Sequence, residues 1–278
     1  MDKSLIFRVA GLLALFGVPV AVANGLSLHG SAVQGALLSG SAPPGSTVTF
    51  AGHRIRVGAD GSFVIGIGRD APPRAALTLT SRNGEESVRN IRIRQREYEV
   101  QRINGLPSRQ VSPSKADMER IRRELAMIRE VRRRDTASSD YLSGWQWPVK
   151  GTITGVYGSQ RILNGKPRNP HSGVDIAAPR GTDVLAPADG IVTLTDPDMF
   201  FTGGTVMLDH GHGVTSVYVH LRNIVVKEGE RLERGDKIGE VGATGRATGP
   251  NLHWGVSWFD VRLDPQLLVP PMPAPTDR

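Results

Sequence analysis

Short runs of alternating polar and apolar residues, each closed by a glycine or proline turn, restrict this chain to a β-rich fold. Thr47-Val48-Thr49-Phe50, His53-Arg54-Ile55-Arg56-Val57 and Val88-Arg89-Asn90-Ile91-Arg92-Ile93 all follow the period of a strand. Pro43-Pro44-Gly45 punctuates an early edge, and Ala59-Asp60-Gly61 reads as a hairpin-type turn before Phe63-Val64-Ile65. With 33 glycines and 19 prolines among 278 residues, turns can be frequent and long helices are disfavoured.

This patterning predicts a small β-sandwich over residues 24–97 and a second β-rich unit over 141–270. The second unit opens on Trp145-Gln146-Trp147-Pro148. A polar connector, 98–140, joins them, and a Pro-rich tail at 271–278 is expected to be disordered. His29 and His53 stand alone in the first unit and read as ordinary strand or surface positions.

Within the connector a helix is expected at about 114–134, with Asp117 in its first turn. Met118, Ile121, Leu125, Ile128 and Val131 recur at three- and four-residue steps and define one apolar stripe. Glu119 before Arg123 and Glu130 before Arg134 are in the favourable order for helix ion pairs. The arginines at 132, 133 and 134 read as a solvated face that complements the helix dipole.

The first residues carry Lys3 and Arg8, an apolar stretch from Val9 to Val22, and the small-x-small site Ala21-Val22-Ala23. That order is expected of a cleaved signal peptide, 1–23, because the stretch is shorter than the roughly 20 residues needed to span a bilayer. The mature protein is then expected in the periplasm with no transmembrane anchor. Export also removes nucleic acid as the partner suggested by the formal charge of +7. The absence of cysteine excludes disulfides, thiolate ligands and a cysteine nucleophile.

The chemistry-bearing residues lie in the second unit. His171 and Asp175 are four apart beside the strand-like Val174-Asp175-Ile176, so an extended segment puts them on one face. His253 lies on Leu252-His253-Trp254-Gly255-Val256, and a sheet could bring it alongside. Two imidazoles and a carboxylate suit a catalytic zinc. Ser216-Val217-Tyr218-Val219-His220-Leu221 is expected to place Tyr218 and His220 on one strand face. Spacing alone leaves open that these are unrelated histidines.

His171-Ser-Gly-Val-Asp175-Ile-Ala-Ala-Pro179 resembles the first zinc motif of the LytM/lysostaphin-type metallopeptidases. Leu185-Ala-Pro-Ala-Asp-Gly190, Leu208-Asp-His-Gly211 through Tyr218-Val-His220-Leu221, and Val241-Gly-Ala-Thr-Gly245 through Leu252-His253 follow in the family's order. The upstream unit, with Arg102-Ile-Asn-Gly-Leu-Pro107, is similar to the leader of Gram-negative envelope members. The resemblance implies a mainly β chain: an antiparallel two-sheet peptidase domain, preceded by the small β-sandwich and linking helix. It implies hydrolysis in the stem peptides or cross-links of peptidoglycan, with Zn2+ held by His171, Asp175 and His253. His220 matches a catalytic histidine.

The family's second catalytic histidine falls on Asn251. An amide can offer N–H groups to an oxyanion but cannot take or release a proton near neutral pH. Weak turnover is therefore one expectation. The other is a non-catalytic wall-binding protein that regulates another envelope hydrolase. His212, in Asp209-His210-Gly211-His212-Gly213, could replace the missing group only if its loop turned it into the groove; as plain turn residues, neither it nor His210 would take part.

Overall fold

The alternating runs form strands and the glycines form the turns between them in the computed structural model, which describes residues 25–105 and 108–273. The segments expected as signal peptide (1–23), the first residue of the sandwich and the end of the tail (274–278) lie outside the described residues.

In the N-terminal unit the strands are β1 (Ser27–His29), β2 (Leu37–Ser41), β3 (Thr47–Phe50), β4 (His53–Ile55), β5 (Ser62–Gly66), β6 (Arg74–Thr80) and β7 (Glu86–Arg92). They make two antiparallel sheets, ordered β1-β2-β5 and β4-β3-β6-β7. Apolar positions such as Leu38, Val48, Phe63, Ile65 and Leu77 are buried. The turn before Phe63 forms, with Asp60 Oδ1 accepting from the Ser62 amide at 2.9 Å. It is not a hairpin turn, because β4 and β5 belong to different sheets. The tight hairpin lies earlier, at Ala51-Gly52, where both residues have positive φ (48° and 82°).

The connector is more structured than its polarity suggests. Strand β8 (Val100–Ile103) precedes the short helix α1 (Ser108–Val111) and the long helix α2 (Lys115–Arg132). Ser114 caps α2, accepting from the Asp117 amide, while the Asp117 carboxylate accepts from the Ser114 amide. Ile128 and Val131 pack into a core with Leu194, Met199, Met207, Val217 and Val219. The ion pair on the helix is Arg120–Glu124 at 2.6 Å, not the pairs expected from Glu119 and Glu130. Arg132 also departs from expectation: it is 8% exposed, and its Nε has no hydrogen-bond partner. Burial and then the nearby Arg262 pull its pKa down to about 8.

The C-terminal unit contains β9 (Thr152–Gly155), β10 (Gln160–Leu163), β11 (Lys166–Pro167), β12 (Val174–Ala177), β13 (Asp183–Leu185), β14 (Gly190–Met199), β15 (Gly203–Asp209), β16 (Val214–Ile224), β17 (Arg231–Leu232), β18 (Lys237–Val241), β19 (Asn251–Trp258) and β20 (Val261–Leu263). Ten of these strands form one antiparallel network ordered β17-β14-β15-β16-β19-β12-β9. The β13–β18 pair joins at β16, and β20 joins at β19. Strand β16 is the branch point of the network, since its first half pairs with β19 and its end with β18. Strands β10 and β11 stand apart, and β8 adds to β10 in parallel, Gln101 opposite Arg161.

One continuous core runs through both β units. Phe50 meets Trp258 edge-on at 6.4 Å. A side chain at Gly66 would strike Trp258 Cβ at 2.7 Å, so only glycine permits this approach. Met272 packs against the same core, and Trp147 Nε1 donates to the Pro270 carbonyl at 2.8 Å.

Candidate metal centre

Antiparallel pairing of β12 with β19 sets Asp175 directly opposite His253. His171 sits in the turn before β12, where its amide donates to the Ser159 carbonyl at 2.9 Å. The result is a cluster of three donor atoms. His171 Nε2 lies 3.0 Å from Asp175 Oδ1 and 2.9 Å from His253 Nδ1. His253 Nδ1 lies 2.7 Å from Asp175 Oδ1. Among the described residues this is the group of histidine and carboxylate side chains able to hold a metal ion.

Groups behind the cluster orient it. His171 Nδ1–H donates to the Val156 carbonyl at 3.0 Å, which leaves the Nε2 lone pair of the neutral ring toward the cluster. Arg161 Nη2 donates to Asp175 Oδ2, so the other oxygen faces the histidines. A side chain at Gly155 would meet that Oδ2 at 2.5 Å, which explains the glycine opposite Asp175. Burial opposes the Asp175 charge, yet the close approach of the His171 and His253 imidazoles holds its carboxyl well below the usual range. Burial pushes the His253 imidazole down to about 4, against the pull of Asp175.

His220 reaches the same groove by a route that alternation does not predict. The β15–β16 register shifts between Val206↔Tyr218 and Gly204↔Leu221, a bulge. His220 adopts φ 67° there, and its amide donates to the Thr202 carbonyl at 2.8 Å. Tyr218 and His220 therefore do not share a face. Tyr218 is fully buried, its hydroxyl 2.6 Å from Ser216 Oγ, while His220 lines the groove with Val219 and His253. His220 Nδ1–H donates to the Thr244 carbonyl at 2.8 Å, leaving Nε2 as its acceptor. Burial lowers its pKa despite that bond.

Asn251 starts β19, two residues before His253, and its amide donates to the Gly242 carbonyl at 3.0 Å. Its side-chain Oδ1 is buried with no hydrogen-bond partner. His210 and His212 are elsewhere. His210 lies 2.5 Å from the Asp189 carbonyl and 2.7 Å from Ser216 Oγ, and His212 packs against the Tyr141 ring at 5.2 Å. Neither lines the groove. Sequence reasoning missed Arg161, which sits in an ordinary strand with no distinguishing motif. Thr244 falls inside a family motif, so its position was visible although its role was not.

The family model for Peptidase family M23 matches residues 169–265. A solved structure of a peptidase M23 from Pseudomonas aeruginosa is 31% identical, with a TM-score of 0.64, over 85% of this chain and 94% of that one. The chain belongs to peptidase family M23. In sequence, the chain is 44% identical over 85 residues to the peptidoglycan DD-endopeptidase ShyA of Vibrio cholerae, covering 31% of this chain and 20% of that protein. It is 32% identical over 129 residues to the lipoprotein NlpD/LppB homolog of Pseudomonas aeruginosa, covering 46% of this chain and 41% of that protein. The chain thus spans less than half the length of these curated relatives.

Proposed function

We propose that this M23 protein is a zinc-dependent peptidoglycan hydrolase of the periplasm, an endopeptidase on stem peptides or cross-links whose turnover Asn251 reduces. The observation that carries the reading is the cross-strand pair Asp175–His253 with His171 Nε2 against both. Donor atoms about 2.0–2.1 Å from a tetrahedral zinc stand roughly 3.3 Å apart. The distances of 2.7–3.0 Å here are within reach of that spacing by small side-chain shifts. Two imidazoles and a carboxylate leave a fourth position for water or substrate. When bound, zinc supplies an activated water and polarises a carbonyl.

The protein groups divide the remaining work. His220 is kept neutral by burial, and its Nδ1 bond to Thr244 presents Nε2 as a proton acceptor at the groove. Asn251 can donate an N–H to a developing oxyanion, but it cannot shuttle a proton. Losing one general acid–base group costs about 10²–10⁴-fold in rate.

A second reading has two observations in its favour: Asn251 itself and the likeness to the NlpD/LppB homolog. It is a wall-binding or regulatory protein, acting with another envelope hydrolase and using the same groove without cleavage. For location, the N-terminal residues support export, and among the described residues no helix is long and apolar enough to cross a membrane. Incubating the mature protein with purified sacculi, beside His253→Ala, separates the readings. Metal-dependent release of cleaved cross-links is expected. Binding to sacculi without release would leave the regulatory reading in its place.

A further inference from the structure

The carbonyl that accepts from His220 Nδ1–H belongs to a residue whose side chain has a second task. Thr244 lies between β18 and β19, and its hydroxyl stands between two backbone groups at the edge of the bulge. It accepts from the Gly204 amide at 2.9 Å and donates to the Leu221 carbonyl at 2.9 Å. Gly204 and Leu221 are register partners across β15 and β16, and Leu221 directly follows His220. The hydroxyl thus uses both its donor and its acceptor capacity where the bulge opens the ladder. A side chain at Gly203 would strike Thr244, so the glycine there is what lets the hydroxyl come so close. The same loop also reaches Asn251, whose amide donates to the Gly242 carbonyl at 3.0 Å.

A neutral imidazole carries one ring proton, and the hydrogen bond made by one nitrogen decides which of the two holds it. The Thr244 carbonyl lies 2.8 Å from His220 Nδ1, so the Nε2 lone pair is the one left for the groove. A loop carbonyl can fix a tautomer only while the loop stays in place, because the bond weakens steeply once its length or angle drifts. The hydroxyl and the carbonyl of one residue are only a few covalent bonds apart, so tethering the first restrains the second. We propose that Thr244 is a positioning residue: its hydroxyl ties the β18–β19 loop to the bulge, and its carbonyl thereby holds His220 in the Nδ1–H tautomer with Nε2 ready to accept a proton. This role rests on the hydrolase reading for the use made of His220, whereas the tautomer itself does not depend on it.

Nitrogen-15 NMR of the zinc-loaded mature protein tests it, with the His220 ring signals assigned by their absence from His220→Gln. Protonated and unprotonated ring nitrogens differ widely in shift, so the tautomer is read directly. The unsubstituted protein is expected to show His220 as Nδ1–H. Thr244→Ala removes the hydroxyl, and Thr244→Val also shuts out a replacement water; both are expected to mix in the Nε2–H form. Thr244→Ser keeps the hydroxyl and is expected to preserve Nδ1–H. If Thr244→Val does not fold, Thr244→Ala decides. Zinc content should be the same in all of them, since Thr244 is not a candidate ligand. On a cross-linked muropeptide, kcat is expected to fall about 10–100-fold in Thr244→Ala with little change in KM, and Thr244→Ser to rescue it. An Nε2–H ring in the unsubstituted protein would overturn the proposal, as would a Thr244→Ser ring that behaves like that of Thr244→Ala. So would an Nδ1–H ring retained in Thr244→Ala: the backbone bond from the Arg246 amide to the Phe201 carbonyl, 2.8 Å, would then hold the loop unaided. None of these results touches the hydrolase reading. A tautomer shift in Thr244→Ala, in a protein that cleaves nothing even unsubstituted, would support the positioning role and remove catalysis instead.

Discussion

Arg161 holds Oδ2 of Asp175 and so leaves Oδ1 alone to face His171 and His253. The carboxylate is oriented by a residue that is not a candidate ligand. Loss of such a supporting group typically weakens metal binding 10–100-fold. Arg161→Met is therefore expected to lower zinc affinity by that factor with little change in fold, as read by competition with a chelator of known affinity. Unaltered affinity would mean that Asp175 is positioned by the β12–β19 pairing without help.

Acid should destabilise the metal-free protein. In the fold the His253 imidazole is pushed down to about 4, whereas an exposed histidine titrates near 6.5. Between these values the unfolded chain binds more protons, so stability rises with pH and is lost as pH falls from about 6.5 toward 4. Asp175, also lowered, extends the loss below the ordinary carboxylate range. The effect is on the order of a few kcal/mol. Melting curves in metal-free buffer across pH 7 to 4.5 should show the fall, and His253→Gln should flatten it. An equally steep fall in that variant would assign the titration to other groups.

The left-handed backbone at His220 gives a test independent of activity. At φ 67° a Cβ is crowded and a glycine is not. His220→Gly is expected to be more stable than His220→Ala by about 1 kcal/mol, the reverse of the usual order inside a strand. Denaturant midpoints of the two variants decide this. If alanine is the more stable, the bulge does not persist in solution.

Helix α2 should divide into a structural half and a groove half. Ile128 is buried against Met207, Val217 and Val219, directly behind the strand that carries His220. Ile128→Ala is expected to cost about 2–5 kcal/mol. Leu125 is exposed at the groove, and Leu125→Ala should cost well under about 1 kcal/mol while still altering peptide affinity. Similar losses at both sites would show that the stripe is buried along its whole length.

These residues also show where sequence reading reaches its limit. Period-two alternation made the β units visible, because burial on one face imposes it directly. The His171–Asp175–His253 cluster needed motifs as well, since nothing in spacing says that β12 and β19 are neighbours. Alternation puts Tyr218 and His220 on one face because it assumes an unbroken strand, and a one-residue bulge reverses every face beyond it. Three consecutive arginines look like a polar face, so the local pattern predicts a solvated Arg132. It is buried where the end of α2 packs on the C-terminal unit, the adjacent Val131 joining Leu194 and Met207 in one core, a placement that distant parts of the chain determine. Arg161 was silent for the same reason, since its partner is set by tertiary contact and not by local pattern.

Asn251 then becomes the position at which binding and turnover separate. Its backbone lies in the β19 ladder and its Oδ1 is buried without a partner, so the site already accommodates a polar oxygen that nothing satisfies. A histidine there would keep the strand, project from the same face as His253, and restore a group able to exchange a proton near neutral pH. Asn251→His is expected to raise release of muropeptides from sacculi by about 10²–10⁴-fold while leaving zinc affinity within a factor of a few. Asn251→Ala should lower any residual activity further, by removing the amide N–H from a developing oxyanion. The double variant Asn251→His with His253→Ala should be inactive, which ties the gain to the metal centre. If Asn251→His binds zinc normally and releases nothing, the missing histidine is not what limits turnover, and the regulatory reading gains directly.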